Sequence, residues 1–367
     1  MRRPFSAWFL RPRLDRITRK PPNKPLLLTN ADVCGSGRSA AAFYWERSQQ
    51  NAESLCGPRP MPREGTVSKV SIFLTCVLAV AAATPLRAQP QTSGTIDVPG
   101  AHLPYVVVGR GLPCITYGSE LYYPRVFSQV FADALQCAHV AERGFVPGAT
   151  RRDGVPFGVS EAVADIELAR QQLRLERFVM VGHSIHGLVA LAYAAKYPEH
   201  VTHVVAIGGL PSLPTNGDSV RAYRARQFSA GRRAQHDKNR LALDSLTRAH
   251  PGRRVVASYV ANGALYWADS TFDSTPLWSG VAINDALVTD LQTTPFQWDL
   301  SGDPIKVPAF VALGVHDYVV PPTVWKGVRT PFASLTIRVF DRAGHTPQYE
   351  NATDFDREVL RFFRSRQ

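Results

Sequence analysis

The 367 residues carry 42 lysines and arginines against 30 aspartates and glutamates, a formal net charge of +12. Residues 1–88 hold 14 of the basic and 5 of the acidic groups, so the remainder is nearly balanced at +3 and gives no charge argument for a nucleic-acid partner. There is no internal repeat, phosphate loop or dinucleotide fingerprint, so no cofactor is expected, and the length suits two domains or one large α/β domain with an insertion.

Residues 1–60 are rich in Arg, Pro, Ser and Asn, show no sustained apolar period, and read as an unfolded leader. Lys69 then precedes an apolar run from Val70 to Ala83, with a break at Pro85 and a small residue at Ala88. That is the pattern of a secretory signal peptide over 61–88, and the run is too short for a comfortable membrane span. A signal belongs at the start of a protein, so translation is expected to begin near Met61 or at Val67, and the mature chain to be secreted or periplasmic with no stable membrane span. A long-leader anchor or an organelle transit segment is the alternative.

Residues 104–109 and Leu112 to Tyr117 read as two short strands, the second running into Gly118-Ser119. Cys114 and Cys137 each fall in or beside a core strand. They read as small buried hydrophobes, because parallel neighbours rarely place paired cysteines well, although an oxidising compartment would allow a disulfide. Further on, the β-branched and aromatic run Arg177 to Val181 leads into Gly182-His183-Ser184-Ile185-His186-Gly187, followed by the helix-like Leu188 to Ala195. A sharp strand-to-helix turn there presents the Ser184 hydroxyl at an apex, which makes it the candidate nucleophile. His183 and His186 have His-x-x-His spacing, but no cysteine cluster or HExxH pattern completes a metal site, and no metal is expected. His186 reads as a packing histidine bonded to neighbouring backbone, or as a pocket wall that tunes Ser184.

After a strand at 201–208, the next clear core strand begins near Pro308, and the intervening segment of about a hundred residues is too long for a loop. Residues 212–305 are therefore expected to form a helical insertion, with helices over Val220 to Arg240 and Asn239 to His250. Of its aromatics Tyr259, Tyr266, Trp267, Phe272, Trp278, Phe296 and Trp298, most are expected in a small core of its own. Arg221, Arg224, Arg226, Arg232 and Arg233 read as a solvated face, or as a surface that attracts an anion.

A serine needs a base, and the base an orienting carboxylate. Residues 308–315 read as a buried strand with Asp317 two residues past its end, and 335–340 as another, followed by a loop that contains His345. Asp303 and Asp341 are competing acids, but Asp303 precedes a strand and Asp341 directly ends one. Gly344 suggests a tight turn presenting His345.

Serine, aspartate and histidine in that order, each just past a strand, resemble the α/β-hydrolase-fold serine hydrolases, with the matching region running from about Gly94 to the C-terminus. The resemblance implies a mostly parallel eight-stranded sheet with helices on both faces and a helical lid after the sixth strand, the core being divided into 89–211 and 306–367. It also implies an oxyanion hole made by the amides of Ser119 and Ile185, with Tyr117 standing where the family usually has histidine. Glu142-Arg143-Gly144-Phe145 resembles the family's Asp-x-Arg-Gly segment, which implies a structural role, while His186 departs from the small residue usual two places after the nucleophile. Ala194-x-x-x-Pro198-Glu199 and the helical insertion are similar to proline iminopeptidase-like hydrolases, whose HGGPG and Gly-Gly-Ser-Trp-Gly runs are absent. The implied activity is acyl transfer from a small or medium ester to water. Peptide or amide hydrolysis and non-catalytic ligand binding are the alternatives, and Ser184 speaks against the aspartate-dependent dehalogenases and epoxide hydrolases.

Overall fold

The computed structural model describes residues 92–213, 217–249, 253–296, 304–328 and 332–364. The leader, the signal-like run, His250, Trp298 and Asp303 lie outside the described residues. Eight strands form one sheet: β1 (Thr92–Val98), β2 (Ala101–Val108), β3 (Leu112–Gly118), β4 (Leu135–Ala141), β5 (Phe178–His183), β6 (Val201–Ile207), β7 (Ala309–Gly314) and β8 (Leu335–Phe340). Their spatial order is β1-β2-β4-β3-β5-β6-β7-β8. β2 is antiparallel to both β1 and β4, and the other pairs are parallel.

The central strands are apolar on both faces because helices cover both. Met180, Val204, Ala206 and Val311 pack with α3 (Val159–Gln172) and α4 (Ile185–Lys196). Val179, Val181, Val205, Ile207 and Phe310 face the other way, towards α2 (Gln129–Ala134) and α11 (Ala352–Arg364). Phe355, Val359, Phe362 and Phe363 recur at helical spacing to make the buried stripe of α11. The short helices α1 (Tyr123–Val126) and α10 (Pro347–Glu350) lie beside the site described below.

Between β6 and β7 the chain builds α5 (Gly217–Gln227), α6 (Ala230–Ala249), α7 (Arg254–Ala261), α8 (Gly263–Tyr266) and α9 (Asp285–Thr293). The first two replace the expected helices at 220–240 and 239–250, because the break falls at Phe228-Ser229, where the Ser229 hydroxyl accepts the Arg232 amide and opens a new helix. Leu213 and Phe296 exchange both backbone hydrogen bonds, at 3.1 and 3.2 Å, and so pin the two ends of the insertion together. Among the described residues the aromatics do not form a separate core: Trp267 packs with Tyr122, Tyr123 and Val126 of the sheet domain. Nor are all five arginines a solvated face. Arg224 Nε donates to the Tyr318 carbonyl at 2.6 Å, and Arg232 donates to the carbonyls of Ala264, Trp267 and Ala268.

The reading of Cys114 and Cys137 as free hydrophobes is corrected by the structure. They are direct partners in the β3–β4 ladder, 4.2 Å apart at Cα, and form a disulfide. The register brings them opposite each other, something residue spacing does not reveal.

His139 on β4 is buried, bonds Thr116 Oγ1 through Nδ1 at 2.8 Å, and lies beside the rings of Tyr123 and Phe127, each with its centroid 6.3 Å away. Burial pulls its pKa from the ordinary 6.5 down to about 3. The unfolded chain therefore binds a proton between those values that the folded chain refuses, and stability falls as pH drops through that window. Unfolding free energies from urea titrations should decline by about 1.4 kcal/mol per pH unit from this group. In His139→Gln the decline should be shallower by that amount, and an unchanged slope would show that His139 is not neutral in the native state.

Candidate active site

The loops that follow β3, β5, β7 and β8 all open at the carboxyl edge of the sheet, the usual place for a site in a parallel sheet. At the end of β5 the chain must turn directly into α4, and Ser184 takes φ 60° and ψ −127°, a conformation that costs a non-glycine residue about 1–3 kcal/mol. The turn is held by the Ser184 amide donating to the Ile207 carbonyl at 2.8 Å and the Gly187 amide donating to the Ser184 carbonyl at 2.9 Å. Its tightness falls on Gly182, where a Cβ would lie 1.9 Å from the His186 carbonyl oxygen. That contact is with the backbone of His186, and its ring is accommodated by the Glu142 carboxylate and the Tyr123 hydroxyl.

His345 Nδ1 lies 2.6 Å from Asp317 Oδ2, with both groups buried. The other Asp317 oxygen accepts the amides of Val319 and Val320 at 2.8 and 2.7 Å, which fixes the carboxylate plane. With Nδ1–H donated to Asp317, Nε2 is left as an acceptor, and this nitrogen is buried without a hydrogen-bond partner. Ser184 and His345 line the same cavity, although no hydrogen bond joins them. In the absence of substrate such contacts are often long and tighten in the reacting complex. Ser119 and Ile185 line this cavity too. As the first residue of α4, Ile185 has an amide with no acceptor inside the helix, while the Ser119 hydroxyl caps its own turn by accepting the Leu121 and Tyr122 amides.

Several supporting groups escaped the sequence reading. Glu350 accepts the amides of Gly344 and Thr346 at 3.0 Å each, on either side of His345, and that of Ala268 at 2.7 Å. Burial pushes its carboxyl above the ordinary range, and the three amides work against that shift. Gly344 is required by close approach rather than by a turn: a Cβ there would sit 2.2 Å from the Tyr266 carbonyl. His183 Nε2 donates to the His345 carbonyl at 2.9 Å, and burial drives its pKa well down, so a neutral ring lies beside His345. An alternating i, i+3, i+4 or i+2 pattern carries no trace of such side-chain-to-backbone clamps.

His186 is bonded not to backbone but to the Glu142 carboxylate, Nε2 to Oε2 at 2.5 Å, and Nδ1 lies 3.2 Å from the Tyr123 hydroxyl. That hydroxyl accepts the His183 amide, so the pair braces the elbow from behind. Arg143 forms a buried two-pronged ion pair with Asp165 at 2.6 and 2.8 Å, and Tyr117 donates to the same carboxylate at 3.1 Å. The segment 142–145 thus has the structural role expected of it. Among the described residues no cluster of His, Cys, Asp or Glu is arranged to hold a metal, and no helix is long and apolar enough to cross a membrane.

The cavity measures about 700 Å³ including its mouth. Tyr259, Tyr266, Trp267 and Trp278 come to it from the insertion, Tyr122 and Phe145 from the sheet domain. Tyr259 stacks on Trp278 with centroids 5.1 Å apart, and burial raises its phenol to about 12. The insertion is stitched to both loops it covers: the Tyr266 carbonyl accepts the His345 amide at 2.5 Å, and the Leu265 carbonyl accepts the Tyr318 amide at 3.0 Å.

A sheet in this order, with its chemistry gathered after β3, β5, β7 and β8, is the architecture of an α/β hydrolase. The chain belongs to that family, whose model, described as the alpha/beta hydrolase fold, matches residues 143–352, and it is a hydrolase. It is 28% identical over 281 residues to the AB hydrolase superfamily protein YclE of Bacillus subtilis, covering 74% of this chain and 99% of the relative. Among solved structures it resembles the carboxylesterase CesB of Bacillus subtilis, with a TM-score of 0.54 at 16% identity, covering 74% of this chain and 91% of the other. It also resembles a thermophilic esterase from Thermogutta terrifontis, with a TM-score of 0.53 at 18% identity, covering 75% and 98%.

Proposed function

We propose that this chain is an exported serine esterase acting on a small or medium ester. The observation that carries the reading is a base nitrogen, buried and unpartnered, that shares a cavity with a serine held at a strained apex. His345 Nε2 takes the Ser184 proton as Oγ attacks the carbonyl carbon, while Asp317 holds the ring in its productive tautomer and steadies the imidazolium. The amides of Ser119 and Ile185 stabilise the oxyanion, at about 3–4 kcal/mol for each well-placed donor. The imidazolium then protonates the departing alcohol, and water releases the acid by the same steps in reverse.

An ester is favoured over an aminopeptidase substrate because no carboxylate is among the described residues lining the cavity, and a free ammonium would need one. The names of two structural neighbours specify esterases, which agrees with this preference. Export is supported by the signal-like run and by the disulfide, a bond that persists in oxidising compartments.

A fluorophosphonate probe applied to the full-length gene's product in a host with an export pathway tests both parts. Label is expected on Ser184, in exported protein whose mass corresponds to a start near Gln89. Label on another residue would overturn the nucleophile, and a mature chain retaining residue 30 would overturn the signal.

A further inference from the structure

Ser184 borders a second cavity besides the aromatic one. This chamber measures about 1010 Å³ with its mouth; Leu210, Leu213, Val255, Val288, Val319 and Val320 make an aliphatic wall, and Ser258, Thr289 and Gln292 add a polar one. The two spaces share Ser184, Ile185, Tyr259, Tyr266 and Gln292. Gln292 Nε2 donates to the Tyr259 hydroxyl at 2.8 Å, so the partition between them is a hydrogen-bonded pair flanked by Tyr266. Neither lining contains a Lys, Arg, Asp or Glu among the described residues.

The positions of the other reacting groups break the symmetry between the chambers. His345 and Ser119 line only the aromatic chamber, whereas Ile185 borders both. In the tetrahedral intermediate the leaving oxygen must face the imidazolium that protonates it. The oxyanion must lie between the two amides. The remaining substituent, the acyl chain, then has the aliphatic chamber left to it.

Resting on the esterase reading, we infer that the substrate is an uncharged ester of an aliphatic acid with a ring-bearing alcohol. The acyl chain enters the Leu210–Val255–Val319 chamber and the alcohol enters the chamber of Tyr122, Trp267 and Trp278. The aromatic walls suit a flat leaving group through offset or edge contacts. The aliphatic walls reward each added methylene of a straight chain. Tyr259 and Gln292 set the boundary, and the absence of fixed charge in both linings disfavours a charged acid or alcohol, which would be desolvated without a partner.

The test is a two-way substrate matrix: one phenol esterified with straight-chain acids from acetate to decanoate, and one acid esterified with methanol, phenol and naphthol. Val255 is partly exposed, so Val255→Phe and Val255→Trp can each fill the aliphatic chamber without opening the core. Each is expected to lower kcat/KM for octanoyl and decanoyl esters by about tenfold or more while acetyl esters stay within about twofold. Trp278→Ala is expected to erase the preference for ring-bearing alcohols and leave the chain-length profile in place. If the valine variants change alcohol preference instead, the orientation is reversed and the inference falls. If acyl-length profiles are unmoved in both, the chamber is not used and the inference falls again. A wild-type enzyme that turns over no member of the matrix defeats the ester reading itself, an outcome distinct from active enzyme with unmoved profiles.

Discussion

Ser184→Ala is expected to lower kcat on a nitrophenyl ester by about 10⁴- to 10⁶-fold while KM changes little. In the proposed mechanism the substitution removes the atom that would become bonded to the acyl group but leaves the two proposed oxyanion amides and both chambers in place, so binding should persist with a residue of oxyanion stabilisation. The fold should not suffer. Alanine at φ 60° bears the same backbone strain that serine does, and the Ser184 side chain caps nothing, since α4 begins without a side-chain capping bond. The comparison needs initial rates together with a thermal midpoint, so that lost chemistry is separated from lost protein. A loss smaller than about a hundredfold, with the midpoint kept, would mean that His345 activates water directly and that Ser184 is not the nucleophile.

Asp317→Asn is expected to cost about 10⁴-fold in kcat with the site's shape intact. Two backbone amides, from Val319 and Val320, already point at one oxygen of this side chain. The amide oxygen introduced by the substitution must stay with those donors, which turns its NH2 group towards His345 Nδ1. A donor there forces Nδ1 to accept and moves the ring proton to Nε2, the nitrogen that has to be bare to take the serine proton. Rates measured alongside Ser184→Ala should therefore fall far more than a lost ion pair at the surface would predict. A drop of under tenfold would shift the orienting role elsewhere, with buried Glu350 the first group to examine.

That Ser184, Asp317 and His345 come to one edge of the sheet is legible because each follows a strand, and parallel strands carry their carboxyl ends to one edge whatever the details of packing. The insertion was legible from length alone. Contacts that depend on register were not. Cys114 faces Cys137 because of the β3–β4 alignment, and a slip of one residue would have pointed them to opposite sides of the sheet. His186 looked like an intrusion at a tight position, whereas the tightness lies at Gly182 and the ring has a carboxylate waiting on the strand-end loop after β4. Glu350 and Asp165 were unremarked because their partners are backbone amides and an arginine distant in sequence, and neither leaves a periodic trace.

The seam between the insertion and the base loop limits how this hydrolase can acquire new substrates. His345 gives its amide to Tyr266, and Glu350 reaches across to Ala268, so residues 263–268 are part of the scaffold that holds the proposed base as well as part of the cover. Replacing the whole insertion with that of a relative would exchange specificity and turnover together, since the foreign segment would have to reproduce those backbone bonds. Changes confined to side chains on α7 and α9 avoid that linkage, because those helices supply Val255, Tyr259, Val288 and Gln292 to the chamber walls while the seam runs through α8 and the residues just after it. Substrate range is therefore free to change through the side chains of α7 and α9, provided that the backbone path of residues 263–268 is kept.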